Sequence, residues 1–316
     1  MDIIDLGRDE KMKKQLFDVA IIGGGPAGLN AALVLGRAKK NVVVIDEGNP
    51  RNAVTQESHG FLTRDGIKPD QFRRIAKEEI SAYPSVSFVV DKAVSVAGTN
   101  GDFQISTAQG LTYQSKKLLF AVGMKDRPLN IPGLEEVYGK SAFVCPYCDG
   151  WELRDQPLVI ITKGPDVMHF APLISGWTHR FTFCTNGPDE LTDDQREELQ
   201  RHQVPIFESP IQYIDSNDGI VRQVILEDGT NIPCRGIFFK PELVTGSGLP
   251  REIGCDITEA GMVAVDNFGK TNVPGVYSAG DAASRLHQVI AAASMGAFAA
   301  AAINNELNVE TWNQNG

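Results

Sequence analysis

Residues 17–46 read FDVAIIGGGPAGLNAALVLGRAKKNVVVID, and the order of residue types in this stretch decides the fold. Val19 to Ile22 is a short apolar run, the pattern of a strand buried on both faces. Gly23-x-Gly25-x-x-Gly28 follows and opens a helical pattern that continues to about Ala38. NVVVID, ending at Asp46, is a second buried strand. Strand, glycine turn, helix and strand make a βαβ unit whose turn suits a dinucleotide pyrophosphate. Gly23 permits the tight turn, Gly25 lets the backbone approach the phosphates, and Gly28 lets helix and strand pack closely. Pro26 and Ala27 lie at the helix N-terminus, where unsatisfied N–H groups and partial positive charge face an anion. Asp46 falls eighteen residues after Gly28, where a carboxylate takes a ribose hydroxyl, and Glu47 can share that role.

The rest of the chain limits what such a unit can serve. Its 316 residues exceed one small core and suit two domains. Composition is 42% hydrophobic and 22% charged without a low-complexity tract, as in soluble globular proteins. A net charge of −10 repels phosphate backbones, which argues against nucleic acid as a partner. No apolar run reaches the roughly 18 residues of a membrane helix. The first fifteen residues carry charges of both signs and lack a signal-peptide core. Five cysteines are not spaced as a disulfide framework. The expected setting is therefore reducing and cytoplasmic.

The distant half of the chain extends the cofactor reading. TNVPGVYSAGDAA (271–283) reads as a strand ending in Gly280-Asp281, and HQVIAAASMGAFAAAAINNEL (287–307) as a long alanine-rich helix. LLFAVGMKDRP (118–128) is another strand end, with Ala121 and Gly123. Together these resemble the second FAD motif of the pyridine-nucleotide disulfide oxidoreductases. The resemblance implies that Asp281 holds the ribityl or phosphate side of the flavin, and that the following helix N-terminus faces its pyrimidine ring. It also implies an α/β fold of two Rossmann-like three-layer domains, the second inserted in the first. The expected division is an N-terminal extension at 1–16, an FAD-binding domain at 17–127 plus 241–308, an insert at 128–240 and a tail at 309–316.

Within the insert, QPLVIITKGPDVMHFAPLISGWTHRFTFCTNG (156–187) has the shape of a second βαβ unit with a broken fingerprint. Thr162, Lys163, Gly164, Pro165, Asp166 and Val167 stand where Gly-x-Gly-x-x-Ala is needed. Thr162 adds a Cβ at the tightest turn, Val167 adds bulk where helix meets strand, and Pro165 removes an N–H. Asp166 can cap the helix or repel a phosphate. The next strand ends in FCTNG (183–187), which supplies neither the acid that takes an NADH ribose nor the arginines that take the NADPH phosphate. Loss of a working NAD(P)H site is expected.

CPYCDGW (145–151) carries the chemistry. Two cysteines two residues apart can be half a zinc site, a redox pair or two buried thiols. Zinc needs four ligands, and Cys184, Cys234 and Cys255 are scattered singly, so no metal site is expected. A CxxC at a helix N-terminus keeps the sulfurs close and lowers one thiol pKa, which suits redox work. Asp149 follows directly, as a proton carrier or as a helix cap.

The order of fingerprint, AVG, CxxC-Asp, nucleotide-like βαβ and Gly-Asp resembles the low-molecular-weight thioredoxin reductase family over about residues 17–308. The resemblance implies that Cys148 meets the flavin, Cys145 exchanges with a partner disulfide and Asp149 is the acid/base. Hinges for a domain rotation are expected near Lys125–Pro128 and Lys240–Gly246. The missing NAD(P)H motifs resemble the nucleotide-independent branch, the deeply rooted and ferredoxin-linked flavin enzymes. PRNA…HGFLTRDG (50–66) also resembles the dithiol oxidases of disulfide-antibiotic pathways. That resemblance implies that Arg51 and Asn52 contact FAD and that His59 lies near the flavin or the cysteines. Ala93, His287, Gln288 and Val289 complete the expected flavin contacts, and Trp312 is expected to cover the flavin face that nicotinamide would use. The implied partners are a thioredoxin-like protein or dithiol substrate, with ferredoxin or another reduced flavin as donor, in a homodimer. The reverse direction, dithiol oxidation with oxygen as acceptor, is the alternative.

Overall fold

The computed structural model describes residues 16–127 and 129–315, so the expected extension at 1–16 lies, but for Leu16, outside the described residues. Along the chain the first elements are β1 (Leu16–Ile22), α1 (Pro26–Arg37), β2 (Val42–Asp46), α2 (Pro69–Ile80), β3 (Val86–Val90), β4 (Ala93–Thr99), β5 (Asp102–Thr107), β6 (Thr112–Phe120) and β7 (Met124–Arg127). Then come α3 (Leu134–Val137), β8 (Ala142–Phe143), α4 (Pro146–Asp149), β9 (Leu158–Ile161), α5 (Pro165–Ser175), β10 (Phe181–Cys184), α6 (Asp193–Arg201) and β11 (Ile206–Phe207). The remainder is β12 (Ile211–Asn217), β13 (Ile220–Leu226), β14 (Asn231–Pro233), β15 (Gly236–Phe239), β16 (Glu242–Thr245), α7 (Leu249–Glu252), β17 (Val276–Ser278) and α8 (Val289–Gln314).

These elements form two compact units. Of the described residues, the first holds those up to Ala53, Phe61–Lys125 and those from Val244; the second holds Val54–Gly60 and those within Asp126–Leu243. The divisions fall two or three residues from the expected boundaries because β7 and β16 pair with each other and each passes from one unit to the other. Segment 54–60 is the larger departure from the expected FAD-binding domain. It packs on the second unit so closely that a Cβ on Gly139 would lie 2.1 Å from the Val54 carbonyl oxygen.

In the first unit β3, β2, β1, β6 and β17 run parallel, while β4, β5 and the first half of β6 form an antiparallel layer. Alternation along β1 serves both faces. Val19 and Ile21 pack with α1 and α8. Ala20 and Ile22 pack with Phe103, Ile105 and Leu249 on the other side. Burial on both faces is why β1 and β2 read as continuous apolar runs. The second unit repeats the plan with an all-parallel order β11-β10-β9-β15-β8. One face meets the β12–β14 layer through Val159, Ile161 and Phe239, and the other meets α5 and α6 through Leu158, Ile160 and Phe238.

Helix α8 continues to Gln314, so most of the expected 309–316 tail is helical. The reason is an ion network beneath it. Lys117 on β6 is fully buried, and its ammonium donates to Asn100 at 2.7 Å and to Glu306 and Glu310 at 2.5 Å each. Tyr277 and Lys270 also donate to Glu306, at 2.7 and 2.9 Å. Burial alone would raise the Glu306 carboxyl, but the bonds from Lys117, Tyr277 and Lys270 outweigh it and hold the group down at about 2. Among the described residues no helix is long and apolar enough to cross a membrane.

Candidate active site

The first unit gathers the dinucleotide fingerprint. Gly23 has φ 108°, and a Cβ there would lie 2.2 Å from the Ala121 carbonyl oxygen; a Cβ on Gly28 would lie 2.0 Å from that of Gly23. Both positions exclude any side chain. Gly25 differs, because a Cβ there would meet nothing within 4 Å. Its open side lies at the N-terminus of α1, where Gly25 is the N-cap, Pro26 opens the helix, and first-turn amides are left over by helix geometry. Ala27 is wedged between the two halves of the unit. A Cβ on Gly280 would come 2.9 Å from the Ala27 Cβ, and one on Gly296 of α8 would come 2.1 Å from the Ala27 carbonyl oxygen.

The acids at the end of β2 are held in place. Gly24 N–H donates to Asp46 Oδ1 at 3.0 Å, and Arg73 from α2 pairs with Asp46 Oδ2. Glu47 pairs with Lys125 at 3.3 Å and Lys92 at 3.7 Å, next to Ala93 at the start of β4. Gly123 lies in the same unit, and its carbonyl accepts from the Gly246 amide at 3.0 Å.

Three residues far apart in sequence meet beside the N-terminus of α8. Arg51 lies in a 3-10 turn after β2, Asp281 in another after β17, and His287 just before Gln288, the N-cap of α8, and Val289. Arg51 Nη1 donates to Asp281 Oδ2 at 3.3 Å and contacts His287 Nδ1 at 2.9 Å. His287 Nε2 lies 2.9 Å from the Ser284 carbonyl oxygen. Asn52 adjoins Arg51 in the same turn. Trp312, also expected at the flavin, lies far from this cluster. It is twenty-three residues after Val289 on the same helix, a distance of about 35 Å at 1.5 Å per residue, and it is 82% exposed. Within one chain it cannot cover a group at the other end of that helix.

The second unit holds the sulfur chemistry. Cys145 and Cys148 are joined in a disulfide, with Cα atoms 5.3 Å apart. Cys145 is the N-cap of α4, Pro146 its first residue, and Asp149 its last, so Asp149 is not the cap. Burial pushes the Asp149 carboxyl up to about 7, the charge of Glu152 adds to the shift, and His59 opposes it. His59 belongs to this unit, in segment 54–60, with Nε2 3.7 Å from both Glu57 and Glu152. Tyr147 and Trp151, on either side of Cys148, are 66% and 65% exposed. Cys184 and Cys234 are buried and pushed to about 12 by that burial, so they are inert core thiols. Among the described residues no cluster of His, Cys, Asp or Glu could hold a metal ion.

A family model described as pyridine nucleotide-disulphide oxidoreductase matches residues 17–296. The chain belongs to that family. It is 31% identical to thioredoxin reductase aclD of Aspergillus oryzae over 311 residues, covering 94% of this chain and 98% of that one. The crystal structure of TrxB from Bacillus anthracis superimposes with a TM-score of 0.89 at 39% identity, over 93% of this chain and 99% of that one. An oxidoreductase from Agrobacterium tumefaciens gives 0.88 at 33% identity, over 93% and 99%. The chain is thus a thioredoxin reductase-like flavin disulfide oxidoreductase with the Rossmann-type α/β fold of its relatives. FAD is the cofactor of this family, and the residues present fit it. The open side of Gly25 leaves room for a pyrophosphate, and Arg73 Nε, beside Asp46, is buried without a hydrogen-bond partner among the described residues.

The matching turn of the second unit is built differently from that of the first. Gly164 is the N-cap of α5, with φ 63°, and its amide donates to the Asp189 carbonyl at 2.8 Å. A Cβ on Gly164 would lie 3.5 Å from the Glu190 carboxylate, which pairs with Lys163. Asp166 in the first turn does not cap the helix; it takes Lys240 at 2.6 Å. Val167 is fully buried in the core against β9. In FCTNG, Thr185 donates to the Gly187 and Phe207 carbonyls and Asn186 accepts from the Ile211 amide, so both serve the local turn.

The sequence reading missed Arg73, Glu57, Glu152, Glu190 and Gly296. Glu152 follows Asp149 by three residues, a spacing that puts side chains on one face of a turn and could have been noticed. The others are brought in by tertiary packing and leave no local signal.

Proposed function

We propose that this protein passes electrons between FAD and the Cys145–Cys148 disulfide, and on to a thioredoxin-like protein or dithiol substrate, without NAD(P)H as donor. One observation carries the NAD(P)H reading. At the N-terminus of α5, where a pyrophosphate would sit, the chain presents the carboxylates of Glu190 and Asp166, each neutralised by its own lysine. These carboxylates stand at the helix end in the place of an anion and engage the two nearby lysines, and α5 has no cation in its first turn to take a phosphate. The donor is then a protein such as ferredoxin or another reduced flavin.

FAD, when bound, supplies the two-electron store. The α1 turn with Gly23, Gly25 and Gly28 would hold its pyrophosphate, Asp46 and Glu47 its ribose, and Arg51, Asp281 and the start of α8 its flavin side. Opening the Cys145–Cys148 bond takes up two electrons and two protons and yields two thiols. Asp149 stands close to half-protonated at neutral pH, so its carboxyl can give a proton as the bond opens and take it back as it closes. Cys148 is the thiol assigned to the flavin, and Cys145 to the partner. The outer face of α8 exposes Ile290, Phe298, Val309 and Trp312, a surface suited to a second copy and supporting a homodimer. The buried free thiols support a reducing, cytoplasmic setting.

The test is anaerobic spectroscopy of the purified holoprotein. Excess NADPH or NADH is expected to leave the flavin absorbance near ~450 nm unchanged. Rapid bleaching by either would overturn the reading. The exposed rings of Tyr147 and Trp151 beside the disulfide also suit a small apolar dithiol, which favours the oxidase direction as a second reading. Catalytic peroxide production after dithiol and oxygen are added would select it.

A further inference from the structure

We propose that Arg51 locks His287 as a neutral imidazole protonated only on Nε2, and so keeps a second positive charge away from the N-terminus of α8. The argument is one of hydrogen-bond bookkeeping. A guanidinium has donors and no acceptor. Its contact with His287 Nδ1 at 2.9 Å therefore makes Nδ1 the acceptor, bearing a lone pair and no hydrogen. A carbonyl oxygen only accepts, so the 2.9 Å contact between Nε2 and the Ser284 carbonyl requires a hydrogen on Nε2. The two contacts together specify one tautomer. Arg51 Nη1 has two hydrogens, and the other is directed to Asp281 Oδ2 at 3.3 Å.

Protonating Nδ1 would replace a donor–acceptor contact with two facing donors and place two cations side by side. Asp281 faces Arg51, Arg285 in the same loop is exposed, and the first turn of α8 has no acidic residue. Arg51 is thus a positioning residue that acts through His287. The consequence for the cofactor rests on the reading that puts the flavin pyrimidine at the start of α8. There the helix amides and a neutral ring would face the flavin, with the charge of Arg51 set against Asp281. Its redox potential then carries no contribution from His287 protonation.

Holoprotein labelled with ¹⁵N-histidine tests the lock directly through long-range proton–nitrogen NMR correlations. The chain has five histidines, and the signals lost in His287→Gln identify the right one. The wild-type ring is expected to show the Nε2–H neutral pattern at pH 7. An Nδ1–H pattern or an imidazolium at pH 7 would overturn the proposal without need of any variant. In Arg51→Met the ring is expected to gain a proton as the pH falls, while Arg51→Lys, whose ammonium also only donates, retains the wild-type pattern. An unchanged spectrum in Arg51→Met would refute the role of Arg51. Flavin midpoint potentials at pH 6 and 8 provide the second readout, with a steeper pH dependence expected in Arg51→Met than in wild type. Equal slopes with the NMR change present would refute the placement of the flavin beside His287 and leave the tautomer lock standing.

Discussion

The two units are built to one plan and differ at one turn. Each has a parallel sheet with helices on one face and an antiparallel layer on the other. Each places a helix N-terminus after its first central strand, at Pro26 and at Pro165. In the first unit that N-terminus opens on Gly25, with space beyond it; in the second it opens on Gly164, with the Glu190 carboxylate 3.5 Å from where a Cβ would be. The same scaffold therefore leaves open space at its positive helix end in one place and sets an internal carboxylate beside it in the other. A Rossmann-type fold says that a nucleotide could be bound; a few side chains at the turn say whether one is.

The comparison can be broken most sharply at the first turn. Gly28→Val would force a side chain against the Gly23 carbonyl, and the purified variant is expected to retain no FAD, read as loss of flavin absorbance per chain. Full flavin content would mean the turn is not the cofactor cradle. Next in size is Cys148→Ser, which leaves the fold intact and is expected to slow electron exchange between flavin and partner disulfide by about 10³-fold or more in stopped-flow traces. Normal rates in that variant would show that the Cys145–Cys148 pair does not carry the electrons.

Lys117→Met tests whether the first unit depends on the network under α8. It would leave Glu306 and Glu310 without their buried partner, at a cost of about 3–5 kcal/mol in urea unfolding. Because Glu306 is held at about 2 against an ordinary 4.5, its contribution is present above pH 4.5 and is lost as the pH falls toward 2. Asp149 in the second unit has the opposite sign. Raised to about 7 from 3.8, it takes up a proton on folding, so its charge penalises the folded state increasingly from pH 3.8 to 7. Asp149→Asn is expected to equal wild type in stability below about pH 4 and to exceed it by about 2–4 kcal/mol at pH 8. A constant difference across that range would show that Asp149 titrates normally. The smallest effect is expected at the second turn. Gly164→Ala should cost about 1 kcal/mol, from its φ of 63° alone, and leave flavin content unchanged.

Much of the cofactor half was legible because it is local. The fingerprint, its strands and the acid at position 46 obey spacings set by backbone geometry, and the CxxC-Asp run contains its own chemistry within five residues. The departure of the second turn from the fingerprint, at Thr162 and Val167, was legible for the same reason. Helix α8 was drawn too short because its last turns are polar. Their order comes from Lys117, nearly two hundred residues away and on another element. Segment 54–60 was assigned to the first unit because it follows β2 in the chain, yet it packs on the second and takes His59 with it.

The sequence by itself determined the kind of cofactor turn, the redox pair and the layered α/β plan, because short-range spacing and hydrophobic alternation encode them. Only the tertiary structure decided which charges meet: Arg51 with Asp281 and His287, Glu190 with Lys163 at α5, and His59 with Glu57 and Glu152 in the unit that carries the disulfide. Electrostatic contacts act through space at a few ångströms and have no fixed separation along the chain, so no pattern in the sequence announces them.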